Sequence, residues 1–368
     1  MFWYWFGVAV LVPWAVMTLF WYAALIYQRF FYREASEQTR DFQVKILTTG
    51  KAIGTLKGTI RHSPKSPLVI SRQETDLPGT QVLPVGFASK ARFKGEQLEW
   101  ARRECPSEFT LYLDEDSVCS PGMETIPDAD IVQFQETPIT DKAWIAAIEA
   151  HRIGFQQEQI LFEKTRPLYL WGGGFAVKGW LEDAVTWDRE SITEDTAFIF
   201  AIPEKARFAF SHKRIFNQAP PSVQALMRQR RRWTSGTLHD VRYLKSWRHR
   251  WWTFFRTANW GLWTVTAPIA MAMVPSHPVF VIPLIQTMLW SAVGSRAMGL
   301  GWKHTIFSVL SAPIASWIHS VGALWGLLWP VTTFHVTPKT EFADGDNLRE
   351  LEPVLTLSTS ADSGQLAA

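Results

Sequence analysis

The N-terminal stretch of the chain is the feature that most restricts its fold. No charged residue occurs between Phe2 and Tyr27, and at about 1.5 Å per residue a helix of this length spans the hydrocarbon core of a bilayer. The stretch lacks the basic start, shorter apolar region and small-residue cleavage site of a signal peptide. We therefore expect residues 1–28 to form a transmembrane helix. Arg29 and Arg33 follow it, so the positive-inside rule places the next domain in the cytoplasm.

Uncharged stretches return in the last third of the sequence. Residues 257–274 and 279–293 carry no charge and are joined by a short connection, which predicts a hairpin of two spans. Residues 305–334 make one generous span or two short ones, so a tilted helix and a re-entrant pair are both open. We expect a C-terminal transmembrane region over 254–334 and a disordered tail over 347–368. The protein is then integral to the plasma membrane or an endomembrane.

Composition and charge limit the choice of partners. With 368 residues, 47% of them hydrophobic, the chain suits one domain plus membrane segments, and membrane lipids are expected neighbours. The formal charge of +3 argues against a dedicated nucleic-acid binder, although basic residues are dense between Arg228 and Arg256. Cys105 and Cys119 lack the spacing of a zinc site. We expect them to be reduced and structural, as in a cytoplasmic domain.

Short apolar runs alternate with helix-like segments between residues 41 and 200. Residues 44–47 and 68–70 each end in a polar loop, and the segment that begins at Arg92 leads into a helix that ends at Arg103. This alternation predicts an α/β domain with a mostly parallel, doubly wound sheet.

A further apolar run, residues 111–113, ends abruptly in the carboxylates Asp114, Glu115 and Asp116. Ligands bind α/β sheets at the carboxyl ends of strands, so Asp114 and Asp116 are well placed to hold Mg²⁺ or Mn²⁺, which in turn would hold a diphosphate. Acidic residues before Ser117 suit a solvated turn or a helix start equally well. The residues alone leave both interpretations open.

Two segments farther along have both a plain and a functional interpretation. Residues 141–162 carry an apolar stripe that includes Trp144, which is typical of a helix against a core or at a membrane interface. Glycines 172–174 precede a strand-like run, and they serve either a plain turn or close approach of the backbone to a ligand.

The triplet Thr193, Glu194 and Asp195 precedes a strongly apolar segment. Thr193 followed by two acidic residues predicts the N-terminus of a helix, with Thr193 as its cap. A helix start at the base of a pocket is also a rigid mount for a catalytic carboxylate.

A later helix, predicted to begin at Pro221 and Ser222, carries three functional groups on one face. Gln229, Arg232 and Trp233 fall at positions i, i+3 and i+4, and the two arginines between them point elsewhere. An amide, a guanidinium and an indole suit a sugar–phosphate ligand. The alternative is a basic belt attracted to anionic lipid.

In this order the three motifs resemble the DxD, TED-like and QxxRW signatures of the membrane-integrated branch of glycosyltransferase family 2. Cellulose synthases, hyaluronan synthases and egghead-type β-1,4-mannosyltransferases belong to that branch. Phe334–Lys339 is similar to the FxVTxK gating loop of cellulose synthases. The resemblance covers residues 44 to 340. It implies a GT-A catalytic domain with interfacial helices over 41–250 and a gating-like loop over 334–346.

The resemblance also implies roles for individual residues. Asp195 would be the general base that deprotonates the acceptor hydroxyl, with Glu194 beside it, and Asp116 would coordinate Mg²⁺ or Mn²⁺. The residues implied to contact the nucleotide sugar or its diphosphate are Asp114, Lys94, Glu74, Gln229, Arg232, Thr337 and Lys339. The residues implied to meet the acceptor are Trp233, Gly173 and Gly174.

Two departures from the family pattern leave the donor open between UDP- and GDP-sugars. The second strand ends in Ser71, Arg72 and Gln73 rather than in an acidic residue that contacts the nucleobase, so Glu74 is only a substitute for it. The first strand ends in Thr48, Thr49 and Gly50, which resembles the mannosyltransferases more than the polymer synthases.

A single-step inverting displacement needs one base and charge neutralisation on the leaving diphosphate. The resemblance therefore implies a hexosyltransferase (EC 2.4.1) that forms a β-glycosidic bond on a lipid-linked or growing glycan acceptor, and the predicted residues meet this chemical requirement. One alternative is a processive synthase that also exports its polymer, and the number of membrane crossings and the product length would distinguish it. A non-catalytic membrane scaffold or lipid-binding protein is the alternative from another class. Whether an accessory subunit takes part stays open.

Overall fold

A computed structural model describes residues 1–33, 36–38, 41–157, 169–273 and 278–331. The strands are β1 (Glu37–Gln38), β2 (Gln43–Thr48), β3 (Pro67–Ser71), β4 (Gln81–Val82), β5 (Phe109–Asp114), β6 (Val118–Cys119), β7 (Ile126–Pro127), β8 (Ile131–Ile139), β9 (Gly174–Lys178) and β10 (Phe208–Gln218). The helices are α1 (Phe2–Phe30), α2 (Ile53–Arg61), α3 (Lys94–Glu104), α4 (Ala143–Gln156), α5 (Gly179–Val185), α6 (Glu194–Ala201), α7 (Val223–Asp240), α8 (Trp247–Met273), α9 (Pro278–Ala297) and α10 (Trp302–Leu328).

One sheet with the strand order β4-β3-β2-β5-β9-β8-β10-β6 forms the centre of the domain. The strands from β4 to β5 are parallel, as are β8 and β10, whereas β9 runs antiparallel to both its neighbours. The predicted α/β domain with a mostly parallel sheet is confirmed. The sheet extends past the predicted limit of residue 200, because β10 pairs with β8 as far as Gln218.

The register of the parallel strands brings their carboxyl ends to one edge. Leu47 pairs with Asp114, and Thr48 pairs with Ser71. β2 and β5 are buried almost throughout, as expected for central strands covered on both faces. The polar residues that follow β2, β3 and β5 therefore lie next to one another at this edge.

Two helices of the described chain, α1 and α10, are long and apolar enough to cross a membrane by length and composition. α8 begins at Trp247, well before the uncharged stretch 257–274, so the aromatic and basic residues ahead of that stretch are helical too. The connection between α8 and α9 lies outside the described residues. The described part of 305–334 is a single helix with Pro313 inside it, rather than a re-entrant pair.

Helix α4 accounts for the described part of the amphipathic segment 141–162, whose residues 158–162 lie outside the description. The apolar residues Ile145, Ile148 and Ile153 are buried. Trp144 is 46% exposed, and its ring meets Phe307 of α10 edge-on. The stripe therefore packs in the protein interior, and the Trp lies at its rim.

Glycine allows α4 and α9 to touch through their backbones. A Cβ added at Gly294 would lie 1.7 Å from the carbonyl oxygen of Ala150, and one added at Gly154 would lie 1.9 Å from that of Trp290. The indole N–H of Trp21 donates to the Gly154 carbonyl at 2.9 Å, which joins α1 to the same contact. Small residues let helices approach this closely, in membranes and in soluble cores.

Replacing Gly294 with Ala should separate α4 from α9, since backbone atoms cannot rotate away from the new methyl group. We expect a loss of roughly 1–3 kcal/mol of unfolding free energy, the usual cost of overpacking. Thermal unfolding in detergent measures it. The matched control is Gly301→Ala, because nothing lies within 4 Å of a Cβ at Gly301. Equal melting temperatures for the two variants would contradict the prediction.

Candidate active site

The three carboxylates at the end of β5 have three different partners. Asp114 forms an ion pair with Lys94, with 2.6 Å between Oδ1 and Nζ. Glu115 accepts hydrogen bonds from the Thr48 hydroxyl and from the Thr49 backbone N–H. Asp116 accepts from the backbone N–H of Gln218 at 3.1 Å. Glu115 thus fastens β5 to the end of β2, while Asp114 and Asp116 line an adjoining cavity.

Lys94, the first residue of α3, joins two motifs. Besides Asp114, its ammonium lies 3.9 Å from Glu194 Oε1 and donates to the Gly172 carbonyl at 2.6 Å. Burial alone would lower the pKa of Lys94, but Asp114 and Glu194 outweigh burial and raise that pKa. The ammonium is therefore charged at neutral pH.

The residue before Lys94 has a strained backbone. Phe93 lines the cavity and has φ 56° and ψ −130°, a conformation that favours glycine and costs a residue with a Cβ about 1–3 kcal/mol. Such strain tends to collect at functional sites. Phe93 immediately precedes α3, and Lys94, the first residue of that helix, lines the cavity.

Two of the three predicted glycines bring backbone against site side chains. A Cβ at Gly172 would lie 2.6 Å from Asp195 Oδ2, and one at Gly173 would lie 2.7 Å from Asn217 Nδ2. Gly174 instead packs inside the sheet, where a Cβ would lie 2.2 Å from Ile215. Close approach, rather than a plain turn, explains this glycine run.

Helix α6 begins as predicted, with Thr193 as the residue before its first turn. The Thr193 side chain, however, does not form the predicted capping hydrogen bond with the helix. The Thr193 hydroxyl donates to Asp240 Oδ2 at 2.8 Å, and the Ser191 hydroxyl donates to the same oxygen at 2.5 Å. Because Asp240 closes α7, this pair of hydrogen bonds fastens the start of α6 to α7.

Asp195 is the carboxyl of this site with the most perturbed acidity. Its Oδ1 accepts from the Thr196 backbone N–H at 2.7 Å. Burial, together with the negative charge of Glu194, raises the pKa of Asp195 to about 7, although Lys94 opposes the rise. A carboxyl with this pKa can take up and release a proton near neutral pH.

The face of α7 carries the predicted trio. Gln229, Arg232 and Trp233 all line the cavity. Arg230 is fully buried, and Arg231 donates to the carbonyl of Trp329. As expected, neither of these two arginines lines the cavity. Burial lowers the pKa of Arg232, while Glu194 and Asp195 oppose that effect. Its Nη1 donates to the carbonyl of Ile192, just before α6, at 3.3 Å.

These elements enclose one cavity of about 330 Å³. This volume lies at the lower end of the range of small-molecule binding pockets. The predicted residues that line it are Lys94, Asp114, Asp116, Gly173, Glu194, Asp195, Gln229, Arg232 and Trp233. Glu74 is exposed, and neither it nor Gly174 lines the cavity. Thr337 and Lys339 lie outside the described residues.

Several lining residues escaped sequence reasoning. Arg72 follows β3, and Asn217 and Gln218 end β10. All three obey the rule that polar residues at strand ends form sites, so that rule could have found them. Arg152 of α4 and Arg256 of α8 also line the cavity, and no local pattern marks either residue.

The donor set suits a divalent cation that is shared with a ligand. Within the described ranges, no three or more His, Cys, Asp and Glu side chains are grouped to hold a metal ion by themselves. Mg²⁺ commonly takes one or two carboxylates and completes its shell with phosphate oxygens and water. Asp116, 7% exposed at the cavity wall, fits that use, with Asp114 at the same strand end.

The cavity lies at the carboxyl edge of an α/β sheet, and Lys94 and Arg232 among its lining residues are groups of the kind that bind phosphate. Residues 109–337 match the family described as Glycosyl transferase family group 2. This match covers more than half of the chain, so the protein belongs to that family. No curated protein matches the chain. Membership supports an inverting glycosyltransferase with a nucleotide-sugar donor and a glycan acceptor, which confirms the resemblance at family level.

The titration of Asp195 tests the electrostatics of the site directly. We expect a midpoint near pH 7 in NMR spectra of the protein with ¹³C-labelled aspartate, assigned by the signal lost in Asp195→Asn. Glu194→Gln removes the adjacent negative charge and should lower the midpoint. A midpoint that stays the same in Glu194→Gln would show that Glu194 does not act on Asp195.

Proposed function

We propose that the protein is an inverting, metal-dependent membrane hexosyltransferase. It moves a sugar from a UDP- or GDP-sugar to a lipid-linked or growing glycan acceptor and forms a β-glycosidic bond. The observation that carries the proposal is the meeting of Asp195, with its pKa near 7, and the cations Lys94 and Arg232 in one cavity. A base and an anion-binding group are the two requirements of a single-step displacement.

The donor diphosphate would lie between β5 and α7. Lys94 and Arg232 would contact its oxygens, Gln229 would hydrogen-bond beside them, and Asp114 would orient the donor through its ion pair with Lys94. Glu74 would contact the nucleobase. In the sequence it follows Arg72, which comes directly after β3 and lines the cavity.

Asp116 would hold Mg²⁺ or Mn²⁺ together with the diphosphate. When bound, the cation neutralises negative charge that develops on the leaving diphosphate. Four described carboxylates line the same cavity as Lys94 and Arg232: Asp114, Asp116, Glu194 and Asp195. A diphosphate would add further negative charge there, so a cation makes donor binding electrostatically easier.

Asp195 would act as the general base. Its carboxylate accepts the proton of the acceptor hydroxyl while the hydroxyl oxygen attacks the anomeric carbon, and the bond from that carbon to the diphosphate oxygen breaks. Attack opposite the leaving group turns an α-linked donor into a β-linked product. Glu194 helps to keep the pKa of Asp195 near the pH of the surrounding solution, where a general base works best. No carboxylate nucleophile is needed.

The acceptor would approach along the wall that α7 and α8 share. Trp233 would stack on its sugar, Gly173 would let it lie close to the backbone, and Gly174 would support Gly173 from within the sheet. The cavity continues to Trp260 of α8. A helix of the apolar C-terminal region thus forms part of the cavity wall, which supports an acceptor carried on a lipid.

The proposed domain layout follows the apolar helices. Residues 1–28 and 254–334 would hold the protein in the membrane, with 41–250 as the cytoplasmic GT-A domain on the side of Arg29 and Arg33. Thr337 and Lys339 of the loop 334–346 would close over the diphosphate, and 347–368 would be a tail. α1 packs against α8 and α9, as expected for one membrane bundle.

Nucleotide release by purified protein tests the reaction. We expect release with one of UDP-glucose, UDP-N-acetylglucosamine, UDP-galactose and GDP-mannose in the presence of Mg²⁺ or Mn²⁺. Chelation should abolish it, and Asp195→Asn should reduce it about 100-fold or more, as for other general bases. The matched control, Asp183→Asn, removes a carboxylate that is 72% exposed and pairs with Arg102. Silence with every donor and glycolipid acceptor would favour a non-catalytic scaffold, and the length of any product separates single transfer from polymerisation.

The pH dependence of turnover follows from the same residue. Only the deprotonated Asp195 can accept a proton, so kcat/KM should fall about tenfold per pH unit below pH 7. Glu194→Gln lowers the pKa of Asp195 and should move this limb to lower pH. A rate that stays flat from pH 5 to pH 7.5 in the wild-type enzyme would exclude Asp195 as the base.

A further inference from the structure

Two guanidinium groups lie against the Trp233 indole. The Arg230 guanidinium carbon is 4.2 Å from the ring centroid, and that of Arg152 is 5.6 Å away. Both distances fall within the range of cation–π attraction, which is strongest for Trp. Arg230 belongs to α7 itself, whereas Arg152 comes from α4, so the indole is held between two helices.

Glu149 lies between these two cations. One of its oxygens is 2.5 Å from Arg152 Nε, and the other is 2.5 Å from Arg230 Nη2. The three side chains are almost fully buried, with exposures of 4% or less. Burial alone would raise the pKa of Glu149, but Arg152 and Arg230 hold that pKa below its usual value. Without the negative charge of Glu149 between them, the two guanidinium groups would repel each other and could not both lie against the Trp233 ring.

Helix α10 fixes the same group from a third side. Arg230 Nε lies 3.0 Å from His319 Nδ1. A guanidinium can only donate, so Nδ1 accepts, and the proton on Nε2 is directed at the Ile148 carbonyl at 2.8 Å. His319 is therefore neutral, and it links α10 to both α7 and α4.

We infer that Glu149 is a positioning residue for the acceptor site: it holds Arg152 and Arg230 against Trp233 and so fixes the angle at which the indole faces the cavity. The inference rests on the proposed acceptor role of Trp233. Glu149 does not line the cavity, so it touches neither donor nor acceptor. We call Glu149, Arg152 and Arg230 the indole clamp.

The geometry distinguishes this role from plain stabilisation. A buried ion cluster adds little stability over apolar residues of the same volume, so its value lies in orienting what it touches. Glu99 provides the comparison within this protein: it is equally buried and pairs with Arg102 and Arg103, but it lies away from the cavity. Its backbone partner is Trp187, whose N–H donates to it at 3.0 Å.

Fluorine NMR of protein labelled with 5-fluorotryptophan tests the clamp without any substrate. The Trp233 resonance is assigned by its loss in Trp233→Phe. We expect Glu149→Gln to shift or broaden that resonance. Glu99→Gln should leave it unchanged and shift that of Trp187 instead. An unmoved Trp233 resonance in folded Glu149→Gln would overturn the inference, whether or not the protein transfers sugar.

Kinetics supply a second, independent readout, with octyl β-glucoside as a soluble acceptor probe. We expect Glu149→Gln to raise the acceptor KM at least fivefold while the donor KM stays within twofold, and Glu99→Gln to change neither. In a Trp233→Ala background, Glu149→Gln should have no further effect on the acceptor KM, because the residue on which it acts is gone. Additive effects would mean that Glu149 acts elsewhere. If the wild-type enzyme turns over no donor, the proposed function fails while the fluorine result still decides the clamp.

Loss of folding in Glu149→Gln would not end the test. Arg152→Lys keeps the positive charge beside Glu149 and removes the planar guanidinium over the indole. The same Trp233 resonance should shift in this variant. An unchanged resonance would again overturn the inference.

Discussion

The structure of the site depends on an ammonium group that lies among carboxylates. Lys94 pairs with Asp114 on β5, lies near Glu194 on α6 and donates to the backbone at Gly172. Without it, acidic residues from separate elements would face one another across a poorly solvated cavity and repel. The carboxyl edge of the sheet, the start of α6 and the glycine run are held at one place by this charge. Burial and Glu194 raise the pKa of Asp195, and the nearby ammonium of Lys94 opposes that rise.

Helix α7 makes a single unit of the remaining motifs. One half-buried face of α7 supplies Gln229, Arg232 and Trp233 to the cavity. Its last residue, Asp240, fastens the turn that leads into α6. Gly236 makes this possible, because a Cβ there would lie 2.3 Å from the Thr193 hydroxyl. A shift of α7 would therefore move the cavity face of α7 and the start of α6, with Asp195, together.

Much of this could be predicted, since strands and motifs leave local signals. The run that ends at Asp114, the helix start at Thr193 and the shared face of α7 were each predicted from spacing alone, and the cavity brings them together. The Arg152 and Arg256 positions could not be predicted, because their place depends on how α4 and α8 pack. The extension of the sheet to β10 was also missed. β10 pairs with β8 across a long stretch of sequence: Ile215 pairs with Glu136, 79 residues earlier, after a bulge that follows Ser211. Such a distant pairing leaves no local mark in the sequence.

The contact between Arg230 and His319 bridges 89 positions of sequence, and α10 follows every other described element in chain order. A ribosome delivers helices in that order. While α10 is still being made, the segments that form the sheet and α7 have already been synthesised, but His319, which contacts Arg230, has yet to be added. His319 is thus the last member of the group around Trp233 in chain order, and it follows every described residue that lines the cavity.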